Sequence, residues 1–456
     1  MARDTVDLQP LTRRDELVAW FEKGCKTEGP LRLGTEHEKF AFRPGTLAPV
    51  PYDGADGIGA LLTALQQRTG WEPIVENGAI IGLFDEAGGG AVSLEPGGQL
   101  ELSGAPLETL HQTAAELDRH LADVHAIGAR LDMRFLALGM TPKWRRSEVP
   151  VMPKSRYRIM TAYMPKVGSL GLDMMYRTST VQVNLDFTSE ADMAMKMRVS
   201  LALQPLATAL FANSPFTDGK LNGLRSLRSE IWRDTDPNRS GMLPFVFEEG
   251  FGFERYVDYA LDVPMYFIKR GDDYLDATGT SFRDLFAGRH PLLPGQPAVL
   301  SDWVNHLSTI FPEVRLKRYL EMRGADVGSR DHIVALSAFW VGLLYDRSAL
   351  SAAWDLVSGW TAAERQDLRD AVPRQGLGAT IRGRSLRDLG REVLALARAG
   401  LKARARHDGT GHDETRYLDL LDARIASGRV AADDWIAAFN GPWRGSVDPV
   451  FSEAVI

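Results

Sequence analysis

Cysteine is nearly absent from this sequence, since Cys25 is the only one in 456 residues. A disulfide within the chain is therefore impossible, which excludes a small disulfide-stabilised secreted fold and favours a reducing compartment. Long hydrophobic runs are also missing, because no apolar stretch approaches the roughly 20 residues of a membrane-spanning helix. The charged start of the chain lacks the apolar centre of a signal peptide. We therefore expect a cytoplasmic protein without a membrane partner.

Charge of one sign is not in large excess either, because the formal net charge is −7. This balance gives no reason to expect a nucleic-acid partner, but it is compatible with a carboxylate cluster that holds cations. A P-loop is absent as well. The glycines at 88–90 are followed by neither the lysine nor the helix of such a loop.

What the sequence does contain is a series of antiparallel strand signals. Asn77-Gly78 lies between two apolar runs and predicts a tight β-hairpin. Two more strand-like segments, 91–95 and 99–103, follow closely. Residues 180–187 alternate between apolar and polar side chains, as a strand with one buried face does. This meander predicts an antiparallel sheet and disfavours a doubly wound nucleotide-binding fold.

Helical signals surround these strands. A helix is predicted to open at Pro106, because proline suits a first helical position and an apolar stripe with steps of three and four follows. From residue 330 onward the sequence looks largely helical, and no low-complexity linker interrupts the chain. We therefore predict an α+β catalytic core at 1–330 with a helical portion at 331–456 packed on it, or a single domain that includes both.

Two glutamates stand two positions apart on the first predicted strand. Strand residues i and i+2 point to the same side of a sheet, so Glu36 and Glu38 project together. Two carboxylates this close repel each other unless a cation or an arginine lies between them. The pair fits a cation site and a solvated strand face about equally well.

A second acidic segment shifts that balance. Glu101 shares a strand face with Gln99, and the flexible turn at 96–98 lets Glu95 lie near the same place. Hard cations such as Mg²⁺ prefer oxygen ligands and usually keep substrate phosphates in their coordination shell. Four glutamates on neighbouring antiparallel strands favour the binding of more than one such ion, although a sheet with one wet face predicts the same spacing.

Polar side chains on two later strands extend this set. Gln182 and Asn184 lie on the polar face of strand 180–187 and are candidates for metal or substrate contacts. Glu321 and Arg323 share one face of another strand, and a carboxylate with a guanidinium is a common holder of metal–phosphate complexes. A half-exposed strand and a plain salt bridge explain the same spacings.

Two arginines, Arg225 and Arg228, precede Ile231-Trp232. A guanidinium matches the oxygens of a carboxylate or a phosphate in a forked geometry. These arginines are therefore candidates for a clamp on a substrate carboxylate or phosphate, and simple surface charge is the other interpretation.

Long, irregular runs around these residues resemble the plant-type glutamate–cysteine ligase family, which includes proteobacterial enzymes. The resemblance covers about residues 13–330 and is carried by the segments 34–40, 93–104, 164–187, 201–216, 234–267 and 320–326. It implies an α+β fold in which a curved, largely antiparallel, glutamine-synthetase-like sheet forms a funnel-shaped active site with helices packed behind it.

The resemblance also implies a reaction, the first step of glutathione biosynthesis. ATP phosphorylates the γ-carboxylate of L-glutamate, and the amine of L-cysteine displaces the phosphate from the γ-glutamyl phosphate. A carboxylate lacks a good leaving group, which phosphorylation supplies, while Mg²⁺ offsets the repulsion between triphosphate and carboxylate. The implied partners are L-glutamate, L-cysteine, ATP, two or three Mg²⁺ ions and glutathione as a feedback inhibitor. The implied assembly is a monomer or a weak homodimer.

Residue roles carry over position by position from the same resemblance. The acids that match the family's metal ligands are Glu36, Glu38, Glu95, Glu101 and Glu321. The candidates for catalytic contacts to phosphate and substrate carboxylate are Arg228 and Arg323. The candidates for substrate or ATP binding are Arg225, Gln182 and Asn184.

The chain departs from the plant members in its cysteines. Plant members carry paired cysteines that act as a redox switch, whereas this chain has Ser179 at the start of strand 180–187 and only Cys25 elsewhere. We therefore expect no intramolecular thiol switch. With no transit-peptide pattern at its start, the chain is expected in a bacterial cytoplasm.

Other functions fit parts of the pattern. A related carboxylate–amine ligase with a different amine acceptor would carry the same metal and phosphate apparatus. Paired glutamates on strands also occur in retaining glycoside hydrolases, where they lie about 5–5.5 Å apart, but no sugar-binding aromatic pattern stands out. A catalytically silent metabolite sensor would have little need for several metal-holding glutamates.

Overall fold

A computed structural model describes residues 6–456. Part of the charged start, and the first five residues of the predicted 1–330 core, lie outside the described residues. At the centre is a nine-stranded sheet in which every pairing between neighbouring strands is antiparallel. Its strands are β1 (Leu33–Phe42), β2 (Glu72–Glu76), β3 (Ala79–Phe84), β4 (Ala91–Leu94), β5 (Gln99–Ser103), β6 (Arg134–Leu136), β7 (Thr180–Leu185), β8 (Val314–Leu316) and β9 (Leu320–Asp326).

The spatial order of the strands is β8-β9-β7-β1-β5-β4-β3-β2, with β6 paired to the far end of β1. Strand β1 therefore lies at the centre, between β5 and β7. Within residues 6–456, four short two-stranded ladders lie outside the sheet. They pair Phe216–Thr217 with Lys220–Leu221, Ser240–Gly241 with Phe311–Pro312, Phe267–Arg270 with Asp273–Asp276, and Thr380–Ile381 with Arg384–Ser385.

Helices fill the rest of the fold. The α-helices before residue 330 are α1 (Arg14–Glu22), α2 (Ile58–Thr69), α3 (Leu110–Arg130), α4 (Ser155–Tyr163), α5 (Gly171–Arg177), α6 (Glu190–Leu210), α7 (Leu227–Ile231), α8 (Phe253–Asp262), α9 (Phe282–Phe286) and α10 (Leu300–Ser308). Those that follow are α11 (Arg330–Leu344), α12 (Arg347–Val357), α13 (Ala362–Gln375), α14 (Leu386–Arg404), α15 (Asp419–Ser427), α16 (Ala431–Asn440) and α17 (Val450–Glu453). Short 3₁₀ helices span Arg146–Glu148, Met164–Lys166, Trp232–Asp234, Pro244–Phe247, Gly376–Gly378 and Glu414–Leu418.

The two faces of the sheet pack against different cores. Val181, Val183 and Leu185 of β7 are fully buried in a large core, where α6 and α11 lie against the sheet. The other face carries Phe40 and Phe42 of β1, which belong to a smaller cluster. We call this cluster the second core; it includes Leu136, Tyr157, Met160, Met175, Phe267 and Phe451. The predicted alternation along β7 is thus confirmed, because its apolar residues lie on the face that packs against the large core.

Helix α11 lies deep in the large core. All but two of its residues, Arg330 and Asp331, are buried, which explains why it is apolar on every side. Within residues 6–456 no single helix has both the length and the apolar composition of a membrane span, although α11 and α12, bent by 90°, pass that test as a pair.

Local sequence signals are confirmed in some places and corrected in others. Asn77 and Gly78 form the β2–β3 turn with φ angles of 50° and 78°, as the hairpin signal predicted. The helix predicted to open at Pro106 begins at Leu110 instead. Thr109 is its N-cap, because its side chain accepts a hydrogen bond from the Gln112 backbone N–H.

The predicted α+β fold class with a largely antiparallel sheet is confirmed. The large core contains residues from both sides of position 330, from Leu11 to Ile456. The division into a 1–330 core and a 331–456 portion stays a prediction.

Candidate active site

A cavity opens on the sheet face that also carries the second core. Strand register explains why acidic residues gather there. On β1, Glu36 lies opposite Gln182 of β7, and Glu38 lies opposite Glu101 of β5. All four line the cavity. Like charges directly opposite each other on neighbouring strands are destabilising, so the Glu38–Glu101 pair is a feature that folding alone does not favour.

The turn between β4 and β5 brings a further carboxylate to the same place. A side chain at Gly97 would lie 2.2 Å from the backbone oxygen of Tyr176, and Gly98 has a φ of 83°, so the turn requires glycine at both positions. Gln99 fixes this turn, because its Oε1 accepts from Gly97 N at 2.9 Å and its Nε2 donates to Thr178 O at 2.7 Å. Glu95, at the start of the turn, lines the cavity and remains partly exposed.

Burial and mutual repulsion act together on these acids. Burial raises the pKa of Glu38 well above its ordinary value, and the charges of Glu95 and Glu101 raise it further. Burial, followed by the charge of Glu95, also raises the pKa of Glu101. The pKa of Glu36 is raised by burial and by Glu321 and Glu101. Each of these carboxylates would be stabilised in its charged form by a nearby cation.

The same acids fit a hard divalent cation in their chemistry. Their oxygens are the ligands that Mg²⁺ prefers, and the Oδ1 of Asn184, whose Nδ2 donates to Glu36 at 2.7 Å, has no hydrogen-bond partner among the described residues. Within residues 6–456, no three acid, histidine or cysteine side chains already form a group that could hold a metal ion. A cation would therefore have to draw these carboxylates together.

Glu321 lies in a different environment. It is fully buried, and its carboxylate contacts Arg315 Nη2 at 2.7 Å, Lys317 Nζ at 2.8 Å and Arg323 Nη1. Burial alone would raise the pKa of Glu321, but these three cations lower it well below its ordinary value. The cations themselves line the cavity, so Glu321 holds them there from behind.

Arg228 and Arg323, the predicted catalytic arginines, both line the cavity. A register shift in β9 between Met322 and Ala325 places Arg323 in a bulge, which re-aims its side chain. Its Nη1 donates to Gln182 Oε1 at 2.7 Å, and its backbone oxygen accepts from Arg228 Nη2 at 2.9 Å. The Nε of Arg228 is buried and has no partner among residues 6–456, which leaves a donor for a ligand.

The remaining predicted contacts are placed less centrally. Asn184 lines a neighbouring cavity, where Glu36 forms part of the wall between the two. Arg225 is not brought to either cavity: its Nε pairs with Asp433 at 2.7 Å and its Nη1 donates to Arg374 O at 2.5 Å. Its charge is therefore used to hold the C-terminal helices.

Several cavity residues were not predicted. Arg315 lies on β8 and Lys317 directly follows its last residue, the buried Leu316, an alternation that could have been read from the sequence. Lys154 and Arg156 line the cavity from the start of α4. No spacing signals their role, because α4 reaches the cavity only through its packing in the second core.

The sequence is similar to those of known proteins over nearly its whole length. The sequence model of glutamate–cysteine ligase family 2 (GCS2) matches residues 32–453. The chain is 56% identical over 448 residues to the chloroplastic glutamate–cysteine ligase of Arabidopsis thaliana, covering 98% of this chain and 84% of the relative. It is 56% identical over 445 residues to the chloroplastic glutamate–cysteine ligase B of Oryza sativa subsp. japonica, covering 98% of this chain and 87% of the relative.

A solved structure shares the fold. The glutamate–cysteine ligase of Francisella tularensis in complex with AMP matches with a TM-score of 0.54 at 13% identity, covering 98% of this chain and 89% of that one. The plant relatives also correct one expectation. Because both are named chloroplastic, the prediction of a bacterial cytoplasmic location is wrong.

The family match covers nearly the whole chain and includes every acid that lines the cavity. Relatives at 56% identity extend over nearly the same length. The chain therefore belongs to the glutamate–cysteine ligase family.

Proposed function

We propose that this chain is an ATP- and Mg²⁺-dependent ligase that joins the γ-carboxylate of L-glutamate to the amine of L-cysteine, the first step of glutathione biosynthesis. The observation that carries the proposal is the division of one cavity into two charged walls. Glu36, Glu38, Glu95 and Glu101 form the acidic wall, and Arg228, Arg315, Lys317 and Arg323 form the cationic wall.

The acidic wall would hold the metal. Glu36, Glu38, Glu95 and Glu101 would bind Mg²⁺, in two or three ions, and the bound metal would neutralise the triphosphate of ATP. Glu321 is the predicted ligand whose present contacts fit this role least well, because Arg315, Lys317 and Arg323 surround its carboxylate.

The cationic wall would position the reacting groups. Arg228 and Arg323 would bind the transferred phosphoryl group and the carboxylate of glutamate, since guanidinium donors match both anions. Gln182, which fixes the Arg323 side chain, would orient that contact. Holding two anions side by side against fixed donors supplies proximity and charge stabilisation, the main needs of phosphoryl transfer.

After ATP has phosphorylated the γ-carboxylate of glutamate, the second step is the attack of cysteine on γ-glutamyl phosphate, which needs no further reagent. The cysteine nitrogen forms a bond to the γ-carbon of γ-glutamyl phosphate, the carbon–oxygen bond to phosphate breaks, and the nitrogen loses a proton. The products are γ-glutamylcysteine and inorganic phosphate, with ADP left from the first step.

A phosphate-release assay tests the proposal. We expect release that requires ATP, Mg²⁺ and L-glutamate and is fastest with L-cysteine. Equal rates with L-alanine or L-serine would instead favour a ligase with another amine acceptor. Activity on a glycoside without ATP would overturn the ligase assignment.

Two narrower expectations remain predictions. Glutathione contains the γ-glutamylcysteine product, so we expect it to compete for the same cavity as a feedback inhibitor. We expect a monomer or a weak homodimer in solution, which sedimentation at two protein concentrations would test.

A further inference from the structure

Arg228 is held in the cavity wall differently from two other arginines of that wall. Arg315 and Arg323 contact the carboxylate of Glu321 directly. Within residues 6–456, no carboxylate lies within ion-pair distance of Arg228, and the only hydrogen bond of its side chain is the one to the backbone oxygen of Arg323. Arg228 is nevertheless buried. Since a buried charge normally has a partner, the source of its counter-charge must lie elsewhere.

A buried carboxylate lies close to the helix that carries Arg228. Asp326, the last residue of β9, is 1% exposed and accepts three hydrogen bonds. Its Oδ1 accepts from Ser226 Oγ at 2.9 Å, and its Oδ2 accepts from Ser214 Oγ at 2.7 Å and from Asn213 N at 2.8 Å. An ionised carboxylate only accepts hydrogen bonds, so three donors fit its charged form.

The two serine hydroxyls link Asp326 to the first turn of α7. Ser226 is the N-cap of this helix, and its Oγ accepts from Ser229 N at 3.2 Å. The Oγ of Ser214 accepts from Arg228 N at 3.2 Å. Each hydroxyl therefore accepts from a backbone N–H of α7 and donates its own proton to Asp326. The carboxylate thus fixes the helical turn from which the Arg228 side chain extends.

Strand β9 in this way fixes both ends of Arg228. The backbone oxygen of Arg323 holds Nη2 of the guanidinium, and Asp326 holds the backbone end through the two hydroxyls. The carboxylate itself has little freedom, because a side chain at Gly139 would lie 2.4 Å from its Cγ. Burial lowers the pKa of Arg228, and the charge of Asp326 acts against this effect more strongly than that of Glu38.

We infer that Asp326 is a positioning residue, which supplies the counter-charge of Arg228 from behind α7 and leaves its guanidinium free for a substrate anion. The inference rests on the proposed ligase function, in which Arg228 and Arg323 bind the transferred phosphoryl group and the carboxylate of glutamate. A carboxylate in direct contact with the guanidinium would occupy the donors that such an anion needs. Placed behind the helix, the same charge leaves Nε of Arg228 without a partner among residues 6–456.

Asp326→Asn keeps the shape of the side chain but removes its charge and one acceptor oxygen. Hydroxylamine traps γ-glutamyl phosphate as a hydroxamate with release of phosphate, so the first step can be followed without cysteine. We expect kcat/KM for L-glutamate in this assay to fall about tenfold or more, because small displacements of a positioning group are costly.

Asp302→Asn is the matched control for Asp326→Asn. Asp302 is also a buried aspartate, 3% exposed, and it accepts hydrogen bonds from Arg270 and from Val299 N without lining the cavity. We expect this variant to lose stability while its kcat/KM for L-glutamate changes less than about twofold.

A double variant separates positioning from a general loss of structure. Arg228→Lys keeps the positive charge but removes the fork and Nε. If Asp326 acts through Arg228, adding Asp326→Asn to Arg228→Lys should lower kcat/KM by less than about twofold. The same cycle measured as L-glutamate affinity by calorimetry, with Mg²⁺ and a non-hydrolysable ATP analogue, requires no turnover. An equal loss from Asp326→Asn in both backgrounds would show a structural role only and overturn the inference.

Ser226→Ala and Ser214→Ala test the same links if Asp326→Asn does not fold. Each keeps the charge of Asp326 and removes one of its two connections to α7, so we expect kcat/KM for L-glutamate to fall about threefold or more in each. Hydroxamate formation by the wild type with unchanged kcat/KM in Asp326→Asn, or in both serine variants, would overturn the positioning role and leave the proposed function standing. No hydroxamate in the wild type would overturn the proposed function and this inference with it.

Discussion

Glu38 and Glu321 are two buried carboxylates in the same sheet, and their surroundings are opposite. Glu38 lies among other acids, which adds to the effect of burial and raises its pKa. Glu321 is more deeply buried, yet three cations lower its pKa well below the ordinary value. Burial alone therefore does not set the pKa of an acid in this site, because the neighbouring charges add to its effect at Glu38 and reverse it at Glu321.

The contrast assigns the two acids to different tasks. Glu38 contributes to a repulsive cluster that a bound cation would relieve, so its charge is placed for a ligand. Glu321 already has its cations, so its charge keeps Arg315, Lys317 and Arg323 in one place. Substitutions that remove one charge at a time test whether the two acids differ in this way.

The largest effect on activity is expected from Glu38→Gln. Removal of one predicted metal ligand should lower Mg²⁺-dependent turnover about 100-fold or more, similar to the loss of one electrostatic contact in other active sites. Stability without Mg²⁺ should not fall, because repulsion with Glu95 and Glu101 is relieved. Initial rates and thermal unfolding check the two parts.

Mg²⁺ itself supplies the second readout for Glu38. A ligand that binds only the folded state raises the melting temperature, so Mg²⁺ should raise it in the wild type and less in Glu38→Gln. Glu116→Gln is the control, since Glu116 is a half-buried acid that does not line the cavity. Wild-type turnover and an unchanged Mg²⁺ response in Glu38→Gln would refute the metal assignment.

Glu321→Gln should produce the largest loss of stability. It leaves Arg315, Lys317 and Arg323 buried together without their counter-charge, and breaking a buried ion pair from one side typically costs about 3–5 kcal/mol. Urea unfolding without ligands should show this loss in Glu321→Gln and not in Glu38→Gln. Equal stability of the two variants would mean that the two acids do not differ in the way their contacts indicate.

The sequence predicts the faces of these strands better than it predicts their neighbours. Alternation along β1 and β7 correctly identifies which side chains share a face, because the strand period of two is a local property. The opposition of Glu38 and Glu101 depends on register. Register is fixed by pairing across the sheet and by turns such as the one at 96–98, and no local pattern states it.

The arginines show most clearly what the sequence patterns cannot predict. Arg225 and Arg228 are three positions apart, yet Arg225 precedes α7 and binds Asp433, whereas Arg228 lies within α7 and enters the cavity. A guanidinium looks the same in either position. Arg156 was missed for a related reason: its place in the cavity depends on how α4 packs, and only tertiary structure determines that.

Glu116 is less buried than Glu38 and Glu321, and its substitution should give the smallest change in stability. Burial raises its pKa to about 7, although a hydrogen bond from Ala105 N to its Oε1 acts in the opposite direction. Since the folded pKa exceeds the unfolded one, near 4.5, the unfolded state releases its proton first as the pH rises. The wild type should therefore lose stability between about pH 4.5 and 7, and the loss that is due to Glu116 should be absent in Glu116→Gln.

Measuring the free energy of unfolding of both proteins at pH 5 and pH 8 gives the size of this loss. Relative to the wild type, Glu116→Gln should gain about 1–3 kcal/mol at the higher pH, because a shift of one pKa unit corresponds to about 1.4 kcal/mol and partial exposure weakens the effect. Glu28→Gln, at an exposed acid, should show the same pH dependence as the wild type. If Glu116→Gln also followed the wild-type dependence, burial alone would not raise the pKa of an acid in this fold. The high pKa of Glu38 would then have to come from its acidic neighbours.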